Sequence, residues 1–256
     1  MSQALLAIPF GLAIGLLLGL VGGGGSIVAV PVLVYVLGQD VKVATTTSLL
    51  VVGATALVGG LSHARVGHVR WRAALPFGAA AIVGALAGTA FNRAADPDLI
   101  IALFALVLAA ASYFMARGRG LHPRGTPDSR AGLVLRVVPA GLGVGVLTGF
   151  FGVGGGFVIL PALVLLLALP MGAAVGTSLI VIALTSAAAL FAHVASGPVD
   201  WALASTLTAS AVVGTLAGTR LGERVSDDRL RQAFAVLLAV LACFLVGASA
   251  VALLTD

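Results

Sequence analysis

Charge is what this sequence lacks most: Asp, Glu, Lys and Arg make up 9% of its 256 residues, while hydrophobic residues make up 60%. Soluble domains carry about 25% charged residues, so the composition excludes an ordinary soluble domain. Stretches such as 43–62, 73–91 and 172–195 contain no charged residue at all. A helix needs about 20 such residues to cross a lipid bilayer. The sequence therefore predicts an all-α polytopic membrane protein.

Further absences narrow the chemistry. The single cysteine, Cys243, excludes a disulfide within the chain. The first apolar run follows no basic segment, so a cleaved signal peptide is not expected. The apolar stretches hold no carboxylate, whereas proton and cation pumps usually keep one in the membrane. We therefore expect a small anionic substrate held by backbone amides, hydroxyls and helix ends, with no cofactor, no metal and no catalytic residue.

The net charge of +5 comes from basic residues that are spread over connecting loops, which does not suit a nucleic-acid partner. Loops rich in Lys and Arg remain in the cytoplasm of a membrane protein. This rule places 64–72, 117–136 and 220–231 inside, and the less basic 93–98 and 196–200 outside. Both termini are then predicted outside, and the expected location is the cell (inner) membrane.

The chain matches itself without a gap when it is shifted by 130 positions, with about 36 of the 100 positions from Gly15 to Phe114 identical. His63 falls on His193, a match that a bias toward Gly, Ala and Leu does not explain. Equivalent loops carry opposite charge bias and are predicted on opposite faces of the membrane. The duplication therefore predicts two inverted-topology repeats, the arrangement of many secondary transporters.

The predicted organisation is a first transmembrane repeat at 1–116, a basic cytoplasmic linker at 117–136 and a second transmembrane repeat at 137–256. Each repeat has about five helical segments, at 4–21, 26–38, 43–62, 73–91 and 99–116, then at 137–151, 156–169, 172–195, 202–219 and 233–254. The segments 26–38 and 156–169 are short for a full span. Whether they cross the membrane or form parts of re-entrant pairs stays open.

Each short segment follows a glycine run, LVGGGGSIV at 20–28 and FGVGGGFVI at 151–159. Glycine breaks a helix, and a broken helix survives in a membrane only against protein or a water-filled cavity. A helix that restarts there presents free N–H groups to an anion. The alternatives are close helix packing for the glycines and bonds to helix carbonyls for nearby hydroxyls. The candidate substrate-binding residues are Gly24, Gly25, Ser26, Thr47, Ser48, Gly154, Gly155, Gly156, Thr177 and Ser178.

Two other pairs of equivalent positions are informative. His63 and His193 are candidate gate or pathway residues, and the alternative is a pair of histidines at the membrane interface. The GxxxG spacings at 84–88 and 214–218 predict close helix packing and leave a homodimer open. A hydrolase that uses Ser26 with His63 is disfavoured, because the second copy has Gly156 in place of the serine and no acid orients either histidine. The chain is not expected to be an enzyme.

The stretches GLVGGGGSIVAVP and ATTTSLL, with their counterparts GFFGVGGGFVILP and GTSLIV, resemble the sulfite exporter TauE/SafE family, also called the 4-toluene sulfonate uptake permease family. The resemblance runs from about Gly15 to Leu254. It implies transport of sulfur-containing anions such as sulfite, sulfonates or sulfoacetate. The expected function is thus a secondary transporter, an exporter or permease that works by alternating access. An anion channel, or a carrier for a small anion without sulfur, is the alternative.

Overall fold

The computed structural model describes residues 2–92, 96–117, 130–151, 156–194 and 200–255. In these residues the chain forms ten α-helices and no strand, so the predicted all-α fold is confirmed. They are α1 (Ser2–Val21), α2 (Gly24–Pro31), α3 (Val41–Arg65), α4 (Trp71–Asn92), α5 (Pro97–Ala116), α6 (Arg130–Phe151), α7 (Gly156–Leu165), α8 (Met171–Val194), α9 (Trp201–Gly222) and α10 (Asp227–Thr255). All ten predicted segments correspond to helices, although α6 begins inside the predicted linker.

Six of the described helices, α3, α4, α6, α8, α9 and α10, are long and apolar enough to cross a membrane. The α2 helix continues as a π-helical stretch over Val32–Val36. At a rise of 1.5 Å per residue, α2 with this continuation reaches about 20 Å and α7 about 15 Å. Both are short of the roughly 30 Å hydrocarbon core. The chain is a multi-pass membrane protein that contains two partial-span helices at corresponding places.

The helices pack mainly across the two predicted repeats. The α1 helix packs along α9 and α4 packs along α6, while α3 packs against α8 and α5 against α10. By the 130-position shift, α1 is equivalent to α6 and α9 is equivalent to α4. The α1–α9 contact and the α6–α4 contact are therefore formed by equivalent pairs of helices. Such reciprocal packing between the two repeats is compatible with a two-fold relation between them.

The equivalent helices α3 and α8 cross in opposite directions. A Cβ atom added to Gly53 would lie 3.1 Å from the Cβ of Ser186, and one added to Gly60 would lie 2.6 Å from the Cδ1 of Ile180. Residue numbers thus rise along α3 as they fall along α8. Opposite directions for equivalent helices are what an inverted repeat requires, so the contact is compatible with the predicted inversion.

The two GxxxG pairs serve helix packing within the chain, as predicted. A Cβ atom at Gly84 or Gly88 would collide with backbone carbonyls of α6, and one at Gly214 or Gly218 with backbone carbonyls of α1. Because these faces are occupied inside one chain, a homodimer has to use another surface.

Candidate substrate cavity

The first glycine run makes a tight reversal between α1 and α2. Gly22 has φ +69°, a left-handed conformation that favours glycine, and α2 restarts at Gly24. A Cβ atom at Gly23 would collide with the Gly156 carbonyl, and one at Gly25 would collide with the Ile14 carbonyl. The run therefore lets broken backbone pack against backbone of both repeats.

The equivalent positions 26 and 156 meet where α2 contacts α7. The Ser26 hydroxyl lies 2.5 Å from the place that a Cβ atom on Gly156 would take, and it donates to the Gly23 carbonyl oxygen at 2.8 Å. A side chain at position 156 would therefore compete for space with the Ser26 hydroxyl in its present rotamer. This contact gives a steric reason for the sequence difference between the two glycine runs.

A cavity of about 250 Å³ lies between α2, α3, α4, α6, α7 and α8, next to this contact. We call it the serine–threonine cavity, because its polar lining consists of Ser26, Thr45, Ser48, Thr89, Thr148, Thr185 and Ser186. Its other lining residues are Gly, Ala, Val, Leu and Ile, so no charged side chain lines it among the described residues. Two of the predicted binding residues, Ser26 and Ser48, are brought together here.

Most of these hydroxyls already donate to backbone carbonyls of their own helices. Ser48 donates to Thr45 at 2.8 Å and Thr185 donates to Val181 at 3.0 Å. Ser186 differs, because it is 3% exposed and its Oγ has no hydrogen-bond partner. Buried polar atoms are nearly always hydrogen-bonded, so an unpartnered hydroxyl beside a cavity is a candidate donor to a ligand.

Of the other predicted residues that the structure describes in this half, Gly24, Gly25 and Thr47 lie outside the cavity wall. Gly24 is buried against the Leu237 side chain of α10, and Gly25 is buried against the backbone of α1. Thr47 is fully buried and its Oγ1 has no hydrogen-bond partner. Gly154 and Gly155 lie outside the described residues. A binding role for these positions stays a prediction.

Thr177 and Ser178 belong to the opposite half of the molecule. We call Thr55, Ser178, Thr215 and Thr219 the packed counterpart, because they are equivalent to the cavity residues Thr185, Ser48, Ala85 and Thr89 and are almost fully buried. Ser178 donates to the Gly22 carbonyl oxygen and Thr215 to the Gly15 carbonyl oxygen, both at 2.9 Å. Beside them, Thr177 accepts a hydrogen bond from the Arg70 backbone N–H at 3.1 Å.

His63 lines a second cavity, of about 370 Å³, which we call the histidine vestibule. Its titratable lining residues are His63, His68, Arg70, Glu223 and Asp227. The vestibule lies between the α3–α4 and α9–α10 turns, two basic segments that the sequence predicts on the same, cytoplasmic side. His193 lies in the last turn of α8, and its side chain falls outside the described residues.

The binding residues predicted from the sequence did not include five polar residues of the cavity wall, Thr45, Thr89, Thr148, Thr185 and Ser186. A signal existed for two of them, since Thr185 and Ser186 follow Ser178 by seven and eight positions and so share one face of α8 with it. Thr148 carries no comparable signal, because its second-repeat position corresponds to Leu18 in the first repeat.

The helical fold, the partial-span helices and the uncharged polar cavity define a multi-pass membrane protein of the transporter class. The chain belongs to the sulfite exporter TauE/SafE family, whose model matches residues 7–245. A "Probable membrane transporter protein" of Xylella fastidiosa (strain 9a5c) is 33% identical over 255 residues, covering 97% of each chain. "Probable membrane transporter protein YunE" of Bacillus subtilis (strain 168) is 28% identical, over 96% of this chain and 98% of the relative.

A third relative, "Probable membrane transporter protein MJ0441" of Methanocaldococcus jannaschii, is 27% identical over 95% of this chain and 97% of its own. No solved structure matches the chain. The family and the names of these relatives indicate a membrane transporter rather than an enzyme.

Proposed function

We propose that this membrane transporter is a secondary carrier for small sulfur-containing oxyanions, such as sulfite, sulfonates or sulfoacetate. It works by alternating access between the two repeats in the cell (inner) membrane, with the linker 117–136 in the cytoplasm and both termini outside. The observation that carries the proposal is the serine–threonine cavity, where α2 restarts beside an unpartnered Ser186 hydroxyl.

The chemistry of this cavity suits an anion better than a cation. Its lining holds no carboxylate that would attract a cation, and its hydroxyls can rotate to donate. Ser26 lies in the first turn of α2 and lines the cavity, so it brings the positive end of that helix's dipole, equivalent to about half a charge, to the cavity wall. These partial charges bind an anion without a salt bridge, which suits a substrate that has to be released again.

The two halves of the molecule favour a carrier over a channel. The packed counterpart occupies the positions equivalent to the cavity, and its hydroxyls bond across to α1 and to the glycine run. A channel needs a continuous path, whereas a carrier needs one half closed while the other admits substrate. An anion channel, or a carrier for a small anion without sulfur, remains the alternative that the experiment has to exclude.

The test begins with binding by the purified protein. Its thermal unfolding is measured with sulfite, thiosulfate, sulfoacetate, taurine, sulfate, bicarbonate and acetate. A ligand stabilises the folded state by RT ln(1 + [L]/Kd), about 2.7 kcal/mol at a hundredfold excess over Kd. We expect a sulfur oxyanion to raise the unfolding temperature more than bicarbonate or acetate does. The reverse order would favour the carrier for an anion without sulfur.

Flux in proteoliposomes then separates a carrier from a channel. We expect saturable uptake that is accelerated by the same anion on the opposite side, which a channel does not show. Thr185→Leu places a large apolar side chain in the cavity wall and should abolish flux. Ser205→Leu, on the exposed surface of α9, is the matched control and should leave flux unchanged. Vesicles without flux of any sulfur oxyanion would overturn the proposal.

A further inference from the structure

A cavity of about 430 Å³ lies between α3 and α4, over α8. We call it the leucine groove; it is lined by apolar residues of 49–61 on α3, by Trp71 and Leu75 on α4, and by apolar residues of 180–190 on α8. We propose that it binds an acidic phospholipid of the cytoplasmic leaflet, with an acyl chain in the groove and the phosphate beside Arg65 and Arg72. This lipid site lies apart from the substrate cavity, so the inference goes beyond the proposed function.

The groove has the length of one lipid leaflet. It follows α3 from Leu49 to Leu61, twelve positions, which is about 18 Å at 1.5 Å per residue. Half of the roughly 30 Å hydrocarbon core is about 15 Å. Spread over its length, the volume of 430 Å³ corresponds to a mean cross-section of about 24 Å². A helix about 10 Å across would need about 80 Å², so the groove suits an acyl chain better than a helix of a second copy.

The walls of the groove are exposed although they are apolar. Leu57 and Leu61 on α3, with Trp71 and Leu75 on α4, are 45–51% exposed. Both helices pack on α8, which closes the groove from below. Because the lining holds no charged residue and no hydroxyl, an acyl chain covers these side chains without leaving a buried polar group unpaired.

Positive charge lies at one end of the groove. Arg65 follows Leu61 by four positions and so continues the same face of α3, and Arg72 is next to Trp71 at the start of α4. Both arginines are exposed, and neither forms an ion pair with a residue that the structure describes. The sequence predicts the α3–α4 turn on the cytoplasmic side, where the leaflet carries acidic lipids. Basic residues beside a gap between membrane helices on that side suit a phosphate headgroup.

The second repeat provides a comparison for this charge. By the 130-position shift, Trp71 has a tryptophan at its equivalent position 201, whereas Arg65 and Arg72 have alanine at positions 195 and 202. The aromatic residue at the membrane interface is thus present in both repeats, and the two arginines are present in one. The inverted topology predicts the second turn on the outer side, so the charge occurs at the leaflet that holds acidic lipids.

The groove lies behind the serine–threonine cavity. Leu49 of α3 lines both of them, and α8 contributes to the walls of both. An acyl chain in the groove therefore packs against the outer side of two helices that form the cavity. The bound lipid would support the wall that separates the cavity from the hydrocarbon of the bilayer.

The experiment measures lipid binding by the delipidated protein in detergent, with no transported anion present. Phosphatidylglycerol is compared with phosphatidylcholine that carries the same acyl chains, by native mass spectrometry and by thermal unfolding. We expect one phosphatidylglycerol to stay bound at concentrations at which phosphatidylcholine does not, and to raise the unfolding temperature. Equal binding of the two lipids would overturn the inference. Since no substrate is needed, the result does not depend on the proposed function.

The headgroup contacts are tested by Arg65→Gln and Arg72→Gln. Each should weaken phosphatidylglycerol binding about fivefold and leave phosphatidylcholine binding unchanged. Arg220→Gln is the matched control, because this exposed arginine lies in the last turn of α9, on the predicted cytoplasmic side and outside the groove lining. An equal loss in all three variants would reflect surface charge alone and would overturn the inference.

The acyl-chain contact is tested by Ala54→Phe, which places a large side chain in the groove and leaves the charge unchanged. It should abolish binding of the single phosphatidylglycerol, whereas Ala109→Phe, on the exposed surface of α5, should not. Retention of the lipid by Ala54→Phe would overturn the inference. So would a dimer that Ala54→Phe dissociates without displacing lipid, because a second copy would then occupy the groove.

Discussion

The serine–threonine cavity and its packed counterpart are built from equivalent positions of the two repeats, yet one encloses about 250 Å³ and the other is filled. Part of this difference lies in the sequence. Ala85 and Thr148 in the cavity wall correspond to Thr215 and Leu18 in the counterpart, both of which are fully buried. Because these are differences of sequence, the two half-sites differ in side-chain volume and polarity in any conformation of the protein.

The rest of the difference lies in hydrogen bonds that one half makes and the other lacks. Ser178 shares its hydroxyl proton between the Val175 carbonyl oxygen of its own helix, at 2.8 Å, and the Gly22 carbonyl oxygen in the other repeat, at 2.9 Å. Its equivalent Ser48 makes the first kind of bond, to Thr45 in its own helix. A hydrogen bond between membrane helices contributes about 0.6 kcal/mol on average. Contacts of this size hold one conformation without trapping it, as a carrier with two accessible states requires.

The largest expected effect comes from giving the cavity the composition of its counterpart. Thr148→Leu combined with Ala85→Thr adds volume to the cavity wall and moves a hydroxyl from position 148 to position 85. We expect at least about a tenfold loss of anion flux, with the unfolding temperature little changed, because the added atoms fill existing space. Flux in proteoliposomes and thermal unfolding in detergent measure the two effects. Unchanged flux would show that the substrate does not enter this cavity.

The second prediction tests the contact between positions 26 and 156. Gly156→Ser puts side chains at both equivalent positions, and overpacking of this kind costs about 1–3 kcal/mol. Ser26→Gly together with Gly156→Ser moves the single hydroxyl to the other repeat and should restore most of the lost stability. Thermal unfolding of the two single variants and the double variant forms a double-mutant cycle. Additive losses would show that the two positions do not compete for space.

The fold could be predicted from the sequence because lipid demands long apolar helices and because the duplication repeats His63 and the glycine runs. The cavity wall was harder to predict. Which face of α8 lines it depends on how α4 and α6 pair across the repeats, and local pattern does not encode that pairing. The glycines were also hard to interpret. Glycine is required wherever a ligand comes close to the backbone and wherever another backbone does, so the residue alone does not distinguish the two. Gly25 was predicted to meet substrate, and here it meets α1.

The third prediction weakens the hydrogen bond that closes the packed counterpart. Ser178→Ala removes the donor to Gly22, and a loss of about 0.6 kcal/mol shifts a two-state equilibrium about threefold. We expect Val175→Cys, a buried position in the vestibule wall, to react correspondingly faster with a thiol reagent in a Cys243→Ser background. Ser48→Ala, which removes a hydroxyl bonded only within its own helix, is the control. Equal labelling rates would show that the Ser178 bond does not set the closed state.

The smallest expected effect comes from comparing a hydroxyl that has no hydrogen-bond partner with a neighbouring hydroxyl that has one. Ser186→Ala removes an unpartnered buried hydroxyl, so the stability of the ligand-free protein should stay the same or rise slightly. Anion affinity should fall by about twofold to tenfold, the value of one neutral hydrogen bond. Thr185→Val removes a hydroxyl that donates to Val181 and should lower stability more than affinity. Thermal unfolding over a series of anion concentrations measures both quantities for each variant.

If Ser186→Ala lowers anion affinity more than stability, and Thr185→Val lowers stability more than affinity, then Ser186 is the residue that donates a hydrogen bond to the substrate. The contrast follows from hydrogen-bond accounting, because Ser186 loses nothing in the empty protein and Thr185 loses a bond that it already has. If Ser186→Ala lowered stability and left affinity unchanged, its hydroxyl would belong to the packing of α8 against α3. The cavity would then have to bind its anion through Ser26, Ser48 and the first turn of α2 alone.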